Sequence, residues 1–72
     1  MAQIRVDWTQ DPVSVHADEA SILERLFASL REQVGLKKRS IPMPDRENGG
    51  FIAFIYAPID PRVLAKVIKE VE

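Results

Sequence analysis

The chain has no cysteine, which removes disulfides, thiolate metal sites and cysteine nucleophiles at once. It has a single histidine, His16, so imidazole-rich metal centres are excluded too. Glycine is scarce, at three residues. Asn48-Gly49-Gly50 leads into an apolar run, without the Lys-Ser/Thr and following helix of a phosphate-cradling loop. Neither sign of charge prevails: ten basic residues face eleven acidic ones, net −1, so no whole-chain field attracts nucleic acid or an anionic membrane. No stretch approaches the roughly 18–20 apolar residues of a membrane span, and Met1–Val6 has no signal-like basic and apolar regions. These absences predict a cytoplasmic protein without metal or cofactor and without a membrane segment.

What is present is an ordinary globular mixture, 46% apolar and 29% charged over 72 residues. That length predicts one small domain, residues 1–72, able to bury only about 60% of its unfolded surface. Its centre is Gly50–Pro58, the one uninterrupted apolar run, bounded by glycines and a proline. The spacing predicts a strand over Phe51–Ala57.

Gln3–Trp8 alternates, with Ile4, Val6 and Trp8 on one side and Gln3, Arg5 and Asp7 on the other, which predicts a strand with one wet face. Thr9-Gln10-Asp11-Pro12 ends it. A helix is predicted from about Asp18, as N-cap, to Val34. Leu23, Leu26, Phe27, Leu30 and Val34 form its apolar stripe, Ile22 its border, and Gly35 its C-terminal stop. Leu36–Ile41 is read as a basic edge strand, followed by a Pro- and Gly-containing turn. Asp60-Pro61 opens a second helix, with Val63, Leu64, Val67, Ile68 and Val71 inward.

The order β-α-β-β-α predicts an α+β fold: a split β-α-β, or truncated ferredoxin-like arrangement. Its three-stranded sheet would have order 1-3-2 and both helices on one face. The opposite face would then carry Ile52, Phe54 and Tyr56 beside Arg5 and Asp7, and the first strand would be an open edge. The other alternation, with Phe51, Ala53, Ile55 and Ala57 outward, exposes a smaller patch.

Sites for chemistry are few. His16 reads as a solvated or capping loop residue; Ser14, Ser21 and Asp18 are near in sequence, but nothing places them around it. Asp18-Glu19 and Glu70/Glu72 read as helix-end charges, and Trp8 as a core or strand-end residue. Lys37-Lys38-Arg39, with Arg31 and Arg46, is the one concentration of positive charge. It reads first as edge-strand protection and otherwise as a contact for an anionic partner.

The order of parts, with Leu26-Phe27, the basic second strand, Asp45-Arg46-Glu47-Asn48-Gly49 and the aromatic third strand, resembles an RNA recognition motif. Phe51–Ala57 matches that family's pattern at Ala53, Phe54 and Ile55. It departs from it at Phe51, Ile52 and Ala57, at Arg5 in the first strand, and in lacking a fourth strand. The resemblance implies Phe54 and Tyr56 as stacking platforms, with Lys37, Lys38, Arg39 and Arg46 near the phosphates. The reading taken first is a non-enzymatic protein–protein interaction module, a homodimer or a subunit of a larger complex. It would self-associate through the open sheet face or the edge of the first strand, using Ile52, Phe54, Tyr56 and Arg5, and RNA or single-stranded nucleic-acid binding stands as the alternative. An enzyme subunit or small-ligand sensor follows from fold analogy alone and ranks last.

Overall fold

The computed structural model describes residues 4–9 and 11–71. Their order is β1 (Ile4–Asp7), β2 (Val13–Ala17), α1 (Ala20–Val34), β3 (Met43–Pro44), β4 (Phe51–Ile55) and α2 (Pro61–Val71). The fold is α+β, with one antiparallel four-stranded sheet in the order β1-β2-β4-β3.

The three-stranded 1-3-2 sheet is therefore corrected. The sequence reading passed over Val13-Ser14-Val15-His16-Ala17, whose apolar and polar residues alternate as cleanly as those of β1. Pairing it with β1 as a hairpin (Val6 opposite Val15, Asp7 opposite Ser14) removes the crossover assumed between the first strand and the next. β2 and β3 both run antiparallel to β4, which lies between them, so they are parallel to each other. A separated parallel pair around β4 thus exists, with β2 in the place expected for β1. Among the described residues β1 remains an edge strand.

The second edge also differs from expectation. Regular pairing covers only Met43–Pro44, although Arg39 bridges Ile55, and Lys38 and Ser40 exchange backbone bonds with Tyr56 and Phe54. The register shifts by one residue between Arg39 opposite Ile55 and Met43 opposite Ile52. Pro42, which has no N–H to give, lies within that interruption. Gln3, expected in the first strand, lies outside the described residues. Trp8, expected in or at the end of that strand, sits in a turn and is 43% exposed.

The sheet register sorts the side chains by face. Ile4, Ala17, Phe51 and Pro44 form one cross-strand row, and Val6, Val15 and Ala53 the next. Ile4, Val15, Ala17, Ala53 and Ile55 join Ile22, Leu23, Leu26, Phe27, Leu30, Leu64 and Val67 in one buried cluster. The helices therefore cover this inner face, and the smaller outward patch, with Ala53 and Ile55 exposed, does not occur.

α1 begins one residue later than expected. Glu19, in extended conformation and without a side-chain cap, is its N-cap in place of Asp18. Its C-terminus is built as expected: Gly35 at φ 71° gives its N–H to Arg31, and Leu36 gives its N–H to Leu30 while burying its side chain. The Gly35 bond is the 5→1 contact of an αL cap, and with the Leu36 bond it satisfies two end carbonyls, an apolar contact holding the reversal. Val34, expected in the stripe, is 47% exposed. Asp60 caps α2 by accepting the Arg62 N–H at 2.9 Å, with Pro61 in the first turn. Arg25 reaches the Val71 carbonyl, and Gln33 reaches Glu70, across the packed helices.

Candidate functional site

The outer sheet face carries two rows of side chains. Asp7, Ser14 and Phe54 form one, ending at Ser40, whose hydroxyl accepts the Phe54 N–H at 2.8 Å. Arg5, His16, Ile52 and Met43 form the other. Among the described residues no helix covers them. Tyr56 continues the β4 line, its ring stacked on Phe54 with centroids 6.5 Å apart and planes 22° off parallel. Beyond it, Tyr56 and Trp8 line one hollow with Pro12, Pro58 and Pro61.

An apolar stripe thus runs from Met43 and Ile52 through Phe54 to Tyr56. Met43, Trp8 and Tyr56 are 37%, 43% and 56% exposed, whereas Ile52 and Phe54 are half-buried between neighbours. The structure therefore places Ile52, Phe54 and Tyr56 on one face, with Arg5 at its β1 rim.

The polar half of this face contains a linked trio that the sequence did not reveal. His16, assigned to a loop by the sequence reading, stands mid-strand. Its Nδ1 is 3.1 Å from Asp45 Oδ2 and its Nε2 is 3.0 Å from Ser14 Oγ. Because a carboxylate only accepts, Nδ1 donates to Asp45, and in neutral imidazole Nε2 accepts the Ser14 hydroxyl. Recognising β2 from its alternation would have put Ser14 and His16 on one face; Asp45 lies 29 residues away from His16 and carried no signal.

The order Ser–His–Asp is that of a nucleophilic relay. A nucleophile must be reachable, however, and the Ser14 side chain is buried completely, between Asp7 and Phe54 and beneath His16. The trio's evident work is mechanical: it fastens the β3–β4 turn to the sheet.

Asp45 is the hub of that turn. Its Oδ1 accepts the N–H groups of Glu47 and Asn48, its N–H bonds Gly50, and its carbonyl accepts from Gly49. Its pKa is lowered, chiefly by the Asn48 backbone N–H, with smaller help from His16, the Asn48 amide and the Glu47 N–H; burial opposes them. Asp7, Asp45 and Glu47 line a hollow with Ser14, His16, Asn48, Ile52 and Phe54. Its volume of about 270 Å³ falls just below the roughly 300–1,000 Å³ typical of small-ligand pockets. The surroundings of Phe54 are acidic.

The basic residues do not gather on this face. Arg39 turns to the helix side, its guanidinium 4.9 Å from the centre of the buried Phe27 ring. There, with Arg31 and Lys37, it lines a hollow shared with Glu24 and Glu32. Lys38 bonds Tyr56 at one end of β4, whereas Arg46 belongs to the turn before its other end. Lys37, Lys38, Arg39 and Arg46 are thus not a single patch. Among the described residues no group of three or more His, Asp or Glu could hold a metal ion, and no helix is long and apolar enough to cross a membrane. No protein-family model, curated protein or solved structure matches this chain.

Proposed function

We propose that this chain is a small non-enzymatic interaction module of the cytoplasm that self-associates through the side of its sheet away from the helices together with the edge formed by its first strand. One observation carries the reading: Met43, Ile52, Phe54 and Tyr56 form an apolar stripe on that side, and Met43 and Tyr56 are more than one-third exposed. An apolar strip with a polar margin, here Arg5, Asp7 and His16, is the usual anatomy of a protein contact. In fold terms the part from β2 to β4 is read as a split β-α-β of ferredoxin-like kind, with β1 added at its edge.

Sedimentation equilibrium on the wild type and Phe54→Asp tests this. The wild type should associate at micromolar concentration, and the substituted protein should stay folded and become monomeric. A wild type that is monomeric at high micromolar concentration rejects the reading.

The stacked Phe54–Tyr56 pair, with Tyr56 exposed, also supports a second reading, base stacking on single-stranded nucleic acid. The acidic margin of Asp7, Asp45 and Glu47 opposes phosphate, and Arg31, Lys37 and Arg39 line a hollow on the helix side rather than beside the stacked rings. Binding to a mixed oligonucleotide at low salt, weakened by replacing Lys37, Lys38 and Arg39, would favour nucleic acid over self-association.

A further inference from the structure

The two edges of the sheet are built differently. β3 is two residues long, preceded by Pro42 and ending in Pro44, devices that discourage pairing with another strand. β1 is a regular four-residue strand, Ile-Arg-Val-Asp, containing no proline, lysine or glycine. It has one sheet neighbour among the described residues.

We propose that β1 is the homodimer contact, pairing antiparallel with β1 of a second copy about a two-fold axis through Val6. This deepens the self-association reading by naming its edge and register, and it rests on that reading.

The register follows from charge. In a two-fold antiparallel pair, residue i opposes j and j opposes i, and opposed side chains point to the same side. The outward Arg5 must therefore face an outward residue of the second copy. A pairing centred on Arg5 sets two arginines opposite each other, and one centred on Asp7 sets two aspartates opposite. The pairing centred on Val6 places Arg5 opposite Asp7 of the second copy, twice by symmetry, with Val6 against Val6 on the inner side. Thr9 bonds the Asp7 carboxylate through its N–H at 2.9 Å and its hydroxyl at 2.5 Å, fixing that charge at the strand end. With the axis perpendicular to the sheet, the helices of both copies stay on one side. Two sheets of four strands become one continuous sheet, and the two apolar stripes share a single face.

The test compares the wild type, Arg5→Asp, Asp7→Arg, an equimolar mixture of these two, and Phe54→Asp by sedimentation equilibrium. Each single reversal opposes like charges across the axis and should weaken the dimer roughly tenfold or more. The mixture restores opposite charges and should recover a heterodimer. As a second measure in this cysteine-free chain, an oxidised mixture of Arg5→Cys and Asp7→Cys should cross-link well and either variant alone poorly. Reversals without effect, no recovery on mixing, or equal cross-linking of the single variants overturn the register. Association abolished by Phe54→Asp yet indifferent to the reversals rejects the edge and keeps the face. The charge pattern surviving in full alongside an inert Phe54→Asp keeps the edge and rejects the face. A monomeric wild type rejects both.

Discussion

His16 Nδ1 lies 3.1 Å from Asp45 Oδ2, joining the middle of β2 to the turn that sets up β4. The bond spans β4 on the outer face, since His16 is opposite Ile52 and Asp45 follows β3 on the far side. Through it the polar half of the candidate surface and the turn beside its apolar half are held as one body.

The first prediction concerns acid. Asp45 titrates below its ordinary 3.8 because the Asn48 N–H, and then His16, stabilise the charged form more than burial disfavours it. A carboxylate whose pKa falls on folding binds protons more readily in the unfolded chain. Its contribution is full above the unfolded value and is lost as pH falls through the folded one. The wild-type urea midpoint should therefore decline below about pH 4. Asp45→Asn should lower the neutral-pH midpoint and flatten that decline; two parallel pH curves would refute this account.

How much of this was legible beforehand varies by residue. Gly35 and Asp60-Pro61 were readable because each acts on its own local backbone. Period-two alternation separated Ile52, Phe54 and Tyr56 from Ala53 and Ile55, but which set the helices cover depends on packing that alternation does not encode. β2 carried an equally clear pattern but is only five residues long. It lies between a turn and a strong helix, and its two polar members were read as loop chemistry. The Ser14–His16–Asp45 link depends on long-range register, which local spacing does not encode. The separation of Arg46 from Lys37, Lys38 and Arg39, at opposite ends of β4, likewise depends on long-range pairing.

The second prediction separates a structural trio from a catalytic one. Ser14→Ala removes the hydroxyl that satisfies His16 Nε2 and should cost about 1 kcal/mol, measured by urea unfolding. With its Oγ enclosed, Ser14 should remain unlabelled by a fluorophosphonate probe of activated serines. Mass-spectrometric detection of a Ser14 adduct on the folded protein would restore the relay as a candidate nucleophilic site.

The third prediction tests how β4 is seated beside β2. Gly49 and Gly50 both have positive φ, 77° and 69°, so each suits glycine on conformation alone. Their surroundings differ. A Cβ at Gly49 meets nothing within 4 Å, whereas one at Gly50 would stand 2.5 Å from the Ala17 carbonyl oxygen and 3.1 Å from Asp18 Cα. Both obstacles are backbone and cannot swing aside. Gly49→Ala should therefore cost about 1 kcal/mol, the conformational term alone. Gly50→Ala should cost about 2–4 kcal/mol, because the end of β2 and the start of β4 must also separate. In a chain this small the larger loss is a substantial share of total stability, and thermal melting should resolve the two variants easily. Equal losses would mean that Gly50 does not approach Ala17 this closely in solution, and the β2–β4 register that builds the outer face would then have to be redrawn.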